Sequence, residues 1–285
     1  MAARIIATSN PSFSLPENLH LANHLNILFV GDIVGQPGLE LAVSVVPNFV
    51  KKYEIDLLII NGENTTEGKG ISADDAKKIF DIGTHVITSG NHVWDRWDSR
   101  KVLGSDKRIL RPLNYPRENG GNGFVVVDLG EKGKAGVLNV QGRVYMQAID
   151  DPFRAAEWAI GKIQEETKVI FVDFHADATA EKMAFGWYLD GKVTAVMGTH
   201  THTPTADGRI LPHGTAFQSD VGMTGPYDSV LGMRKEQAIR RLVLGTPHKY
   251  EVASHDVRLC GVFVQADTET GKALKMESII FPAFL

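Results

Sequence analysis

Leu57-Leu58-Ile59-Ile60-Asn61-Gly62-Glu63-Asn64 decides how the chain is organised. Its first half is an apolar run of the length of a fully buried strand, and its second half is a turn carrying a carboxylate and an amide. The same grammar recurs on both sides. Ile27 to Val30 is apolar and ends in Gly31-Asp32, and His85 to Thr88 ends in Ser89-Gly90-Asn91-His92. Val169 to Phe174 ends in His175, and Val193 to Met197 ends in Gly198-Thr199-His200-Thr201-His202.

Between these runs lie helical stretches. One starts near Pro37, where proline costs little at a helix start, and Pro47 predicts a kink or a break in it. A second is capped by Ser72, with Asp75 placed to complete the cap, and runs to about Ile82. Two more span roughly Asp151–Glu165 and Thr179–Leu189. Further strands are expected near Phe124–Asp128 and Gly136–Val140, and the tail from Lys249 alternates as antiparallel strands. Strands interleaved with helices make an α/β plan, and no repeat or linker divides it. The reading is one domain over residues 25–285, preceded by an extension over residues 1–24 that is either disordered or a product of an upstream start codon.

The 285 residues carry 43% hydrophobic and 22% charged side chains, ordinary for a globular protein, with a net charge of −4. That balance gives no electrostatic footprint for duplex DNA, although a local basic patch can hide within it. A lone cysteine, Cys260, excludes an internal disulfide and suits a reducing compartment, so a cytoplasmic location is expected. Its alternating surroundings read as a strand in which it packs as a small hydrophobe. No apolar run approaches the roughly 20 residues that cross a bilayer.

Asp32, Glu63-Asn64 or His175 alone would each be read as a cap, a turn or a satisfied buried histidine. His200-Thr201-His202 says more, because residues two apart on an extended backbone project alike. The decisive property is convergence: in α/β sheets the ligand site forms beyond the carboxyl ends of the strands, where all five loops lie. Together they offer oxygen and imidazole donors without thiolate, a set suited to Mn, Fe or Zn. Two ions about 3.5–4 Å apart would need a bridging carboxylate, and Glu63 is the natural candidate. Asn91 can ligate through its carbonyl while His92 faces a substrate, with the proton affinity of a general acid near neutral pH.

In this order, Gly31-Asp32, Gly62-Glu63-Asn64, Gly90-Asn91-His92, His175 and Gly198-Thr199-His200-Thr201-His202 resemble the calcineurin-like metallophosphoesterases, and more narrowly the bacterial YmdB-like subgroup. The stretches Asp173–Thr179 and Asp220–Ser229 are similar to that subgroup as well. The resemblance implies a four-layer α/β/β/α sandwich and a two-metal phosphodiesterase acting on 2′,3′-cyclic nucleotides or RNA ends, often as a homo-oligomer. By the same resemblance Asp32, Glu63, Asn64 and His202 would hold one ion. Glu63, Asn91, His175 and His200 would hold the other, and His92 would protonate the leaving group after attack by a metal-activated hydroxide. The superfamily usually has a histidine where Val34 stands and an aspartate where Glu63 stands. One ion therefore lacks an imidazole for which Asn64 can compensate, which favours iron or manganese over zinc.

Other roles stay open. Asp95 either orients His92 or is a solvated or capping aspartate, and Asp177 is open to the simple reading of a cap on the helix that begins near Thr179. Tyr227 is a base-stacking candidate or an idle surface tyrosine. Trp94 and Trp97 either wall the site or pack in the core. No substrate-binding residue is assigned. The rival activities are a phosphomonoesterase or protein phosphatase on the same metals, and a non-catalytic nucleotide sensor.

Overall fold

The computed structural model describes residues 24–284. The expected N-terminal extension lies outside them except for His24, which opens the first strand. Elements follow in the order β1 (His24–Val30), α1 (Gly35–Lys52), β2 (Leu57–Asn61), α2 (Ala73–Asp81), β3 (Val86–Thr88), α3 (Trp97–Ser105), β4 (Phe124–Asp128) and β5 (Lys134–Gln141). Next come α4 (Pro152–Ile163), β6 (Ile170–His175), α5 (Thr179–Leu189), β7 (Ala195–Thr199), β8 (Arg209–Ile210) and β9 (Ala216–Gln218). The chain closes with β10 (Gly225–Pro226), α6 (Lys235–Leu244), β11 (Val257–Asp267) and β12 (Ala273–Phe281).

These strands form two sheets. In the first, β1, β2 and β3 run parallel in the order β3-β2-β1, and β1 pairs antiparallel with β11, which also carries β10 and β12. In the second, of order β4-β5-β6-β7-β9-β8, the four central strands are parallel and both edges antiparallel. Alternation along each strand sends its residues to two different cores. Ile27, Phe29, Leu57 and Ile59 meet Val137, Phe171 and Met197 between the sheets. Leu28, Val30, Leu58 and Ile60 turn to α1, α2 and α3, while Leu138, Val140, Ile170 and Val172 turn to α4 and α5. Three cores between four layers are the α/β/β/α sandwich.

Local chemistry sets the helix ends. Ser72 caps α2 by accepting from the Asp75 N–H, and Asp151 caps α4 by accepting from Phe153 and Arg154 N–H, with Pro152 at the first helical position. Of the kink or break expected at Pro47, the break does not occur: α1 continues through it. Its pyrrolidine frees the carbonyl of Val43, four residues earlier, and both residues lie on the exposed face, where water can take that carbonyl. The buried face through Leu39, Ala42 and Val46 holds the helix together across the interruption.

Candidate metal centre

Five strands deliver the candidate ligands. β1, β2 and β3 end just before Asp32, Glu63-Asn64 and Asn91, respectively; β6 ends on His175 itself, and β7 ends just before His200 and His202. All seven residues meet. Glu63 Oε1 lies 3.1 Å from His175 Nε2 and accepts from Asn64 Nδ2 at 3.0 Å. His175 Nε2 is also 3.0 Å from Asn91 Oδ1 and 3.0 Å from His200 Nδ1. Asn64 Nδ2 reaches His202 Nε2 at 3.2 Å, and Asp32 Oδ2 accepts from the His200 N–H at 3.2 Å. Potential ligand atoms of Glu63, His175 and His200 all lie within 4.8 Å of one another. Val34, standing where an imidazole is usual in the resembling superfamily, bridges Asn64 backbone to backbone and so keeps that amide beside the cluster.

His92 borders the cluster. Its backbone N–H donates to Glu63 Oε2 at 3.1 Å, and its Nδ1 is 2.9 Å from Asp95 Oδ2. Asp95 thus touches the imidazole, as one of its two sequence readings requires.

The electrostatics are those of a place built for cations. Asp32, Glu63 and Asp173 are all fully buried carboxylates. Burial, reinforced by Glu63, Asp220 and Asp173 against the pull of His175, drives the Asp32 carboxyl well above its usual range. Burial also works on Glu63, but His175, His92 and His200 outweigh it and hold that carboxyl low. Burial pulls His175 down, yet Glu63, Asp32 and Asp173 carry it up to about 9. His200, desolvated and beside His175, falls to about 3, and burial lowers His202 as well, which leaves both with neutral, ligand-competent rings. Asp32 Oδ1 and Asn64 Oδ1 are buried without a hydrogen-bond partner. Such oxygens are costly unless something binds them, and both belong to residues singled out as ligands. The donor set fits metal ions.

Two supporting groups carry no role in the sequence reading, although both lie in stretches quoted there. Asp173 Oδ2 accepts from Asn61 Nδ2 at 2.9 Å and Thr88 Oγ1 at 2.5 Å. Its Oδ1 accepts from Thr199 Oγ1 at 2.7 Å, and that hydroxyl lies 2.9 Å from His175 Nδ1. The usable signal was a charged residue inside an apolar strand, which must be partnered. Asp173→Ala would strip three buried donors of their acceptor, and a urea titration should show a loss of about 3 kcal/mol or more. Asp220 is the second group. It pairs with buried Lys182 at 2.8 Å and accepts from the Thr201 N–H at 3.0 Å. This anchors a segment in which His200 and His202 both adopt positive φ, +96° and +60°. Left-handed backbone at such residues costs on the order of 1–3 kcal/mol each and persists only where its surroundings enforce it.

Other expectations resolve differently. Asp177 does not cap α5, whose N-cap is Ala178 without a side-chain bond; instead its carboxylate stands 3.7 Å from His200 Nε2. Tyr227 anchors its hydroxyl on Met223 O and Cys260 Sγ, while its half-buried ring meets Phe284 edge-on and lines a cavity shared with His202. Cys260 is buried, and desolvation pushes its thiol up to about 11, in keeping with a structural role. Trp94 packs against Tyr115, whereas Trp97 is exposed rather than packed in the core.

Comparison with known proteins agrees with this geometry. A family model described as YmdB-like protein matches residues 28–279. The 2′,3′-cyclic-nucleotide 2′-phosphodiesterase of Bacillus subtilis (strain 168) is 44% identical over 256 residues, 90% of this chain and 97% of that protein. A crystal structure of a novel phosphatase from Mycoplasma pneumoniae superposes with a TM-score of 0.86 at 36% identity, covering 92% of this chain and 94% of that one. That of a hypothetical protein from Thermus thermophilus gives 0.84 at 36% identity, covering 90% and 99%. With the sandwich, the converging loops and these relatives in agreement, the chain belongs to the YmdB-like family of metallophosphoesterases.

Proposed function

We propose that the protein is a dinuclear metal-dependent phosphodiesterase that hydrolyses 2′,3′-cyclic phosphates, on free nucleotides or at RNA ends. The observation that carries this reading is the position of Glu63: one carboxylate oxygen contacts both Asn64 and His175. It therefore stands between two half-sites, Asp32, Asn64 and His202 on one side and Asn91, His175 and His200 on the other. These would hold two ions, iron or manganese before zinc because one half-site carries a single imidazole. When bound, such ions supply Lewis acidity toward the phosphoryl oxygens and lower the pKa of a water molecule.

The remaining steps belong to the chain. Glu63 fixes the backbone of His92, Asp95 fixes its Nδ1, and Nε2 is left to deliver a proton to the departing 2′-oxygen. Thr199, backed by Asp173, orients His175 through Nδ1, so that its Nε2 points to the cluster. The protein's expected home is the cytoplasm, and among the described residues no helix is long and apolar enough to cross a membrane. Homo-oligomerisation is supported by an exposed apolar face on α6, formed by Ile239, Leu242, Val243 and Leu244.

The test is to incubate Mn²⁺- or Fe²⁺-loaded protein with 2′,3′-cyclic AMP, its 3′,5′ isomer and the corresponding monophosphates. Cleavage of the 2′,3′ ring alone, abolished by chelator and restored by metal, is expected. The phosphatase among the solved relatives gives weight to one rival; preferential release of phosphate from the monoesters would establish it. Metal-loaded protein inert toward all of them would point to a sensor.

A further inference from the structure

A cavity of about 940 Å³ runs along the outer edge of β4, between residues 107–126 and α4, and contains none of the metal-centre residues. Lys107, Arg111, Arg117 and Arg154 line it. Arg111 is only 5% exposed. Its Nη1 donates to the carbonyls of Pro112 and Leu113 at 2.9 and 3.1 Å, and its Nε has no partner. Among the described residues none of these four cations has a carboxylate within ion-pair distance. Of the acids in the wall, Asp151 is occupied by the cap of α4 and by Arg143, and Glu166 by Lys134. Only Asp150 remains to offset the cations.

The same wall presents Trp158, half exposed. Phe124 meets its ring edge-on at 6.0 Å, and the Arg117 guanidinium lies 5.8 Å from its centroid. Cations that can follow a phosphate backbone, interleaved with an aromatic face for a base, are the chemistry of single-stranded nucleic acid binding. The inner end of the groove lies close to the metal centre. Asn114 and Tyr115, both lining it, hold Gln141 by its backbone and side chain, and Gln141 is the register partner of His175 on the next strand. Tyr115 also packs, at 5.1 Å between centroids, on Trp94 of the same turn as His92.

We propose that this groove seats the single-stranded RNA preceding a terminal 2′,3′-cyclic phosphate, so that the preferred substrate is an RNA 3′ end rather than a free mononucleotide. The inference rests on the phosphodiesterase reading above. Oligoribonucleotides of one to six residues bearing the cyclic phosphate are the probes. In wild-type protein kcat/KM should rise with length over the first few nucleotides. In Trp158→Ala the selectivity for the hexamer over the mononucleotide should fall roughly tenfold, the scale of one lost base stack. In Arg117→Ala and Arg154→Ala the slope of log(kcat/KM) for the hexamer against log salt should shrink by about 0.7 per lost phosphate contact, a change that a folding defect would not produce. Length-independent kcat/KM, or a length preference that survives all three substitutions, overturns the groove while leaving the hydrolase intact. Failure to cleave either mononucleotide or hexamer overturns the hydrolase reading, and the proposal with it.

Discussion

His92→Ala should lose roughly 10²–10⁴-fold in kcat, the usual worth of a positioned general acid, while retaining its metal content. His92 bonds to Glu63 only through its backbone N–H, and the Nδ1 of its imidazole is committed to Asp95. Removing the ring therefore takes no donor from either half-site. Asp95 also pairs with Lys69 at 3.0 Å. Burial works to raise the Asp95 carboxyl, but the His92 and Lys69 bonds prevail and keep it low, so an anion faces Nδ1. The defect should also depend on the leaving group. A p-nitrophenyl ester departs without a proton and should recover most of the lost rate, whereas the ribose 2′-oxygen should not. Metal loss in the variant would instead make His92 a ligand, and an equal defect on both substrates would remove its role as acid.

Gly90→Ala should be at least as damaging, for a different reason. A Cβ at Gly90 would overlap the His175 ring and the Glu63 carboxylate at once. The backbone here leads into the turn that carries Asn91 and His92, so the methyl cannot be relieved without moving ligands of both sheets. A displacement of about 1 Å in a catalytic constellation costs on the order of 10²-fold, and here donors of both half-sites are displaced together. Metal binding followed by calorimetry should be weakened and activity lost, while circular dichroism still shows a folded α/β protein. A variant with wild-type metal affinity would mean that the loop around Gly90 yields far more easily than its packing indicates.

The sequence made the ends of the strands legible because burial and chemistry divide there so sharply. An apolar run such as Leu57 to Ile60 can only be interior, and the polar residues beyond it lie at the sheet's carboxyl edge. Which strands share a sheet was not legible from pattern: β2 and β6 are both largely apolar, and only non-local pairing assigns them to different sheets. The four-layer arrangement was therefore an expectation from resemblance, not from periodicity. Helix α6 went unread although Ile239, Leu242 and Val243 stand at helical spacing; that stripe faces outward, so the spacing marks a helix without marking core. The roles of Asp173, Asp220 and Lys182 were hidden for the opposite reason. A charge within an apolar strand or helix, as at Asp173 and Lys182, reveals that it has a partner but not which one, and Asp220 lies in a loop where no periodicity marks it as buried.

The Asp173 contacts have a mechanical consequence. Asn61 and Thr88 of the first sheet donate to Asp173 of the second, and such hydrogen bonds are directional. Between the sheets most of the contact is apolar and has no preferred direction, and the far end adds bonds of its own, Thr194 Oγ1 and Lys168 Nζ donating to the carbonyls of Gly271 and Glu269 in the β11–β12 turn. The Asp173 bonds are thus the clamp at the site end of the sandwich. Because the candidate ligands are shared between the sheets, the spacing of the half-sites is set by the shear between two slabs, and the clamp sits where that shear would do most harm.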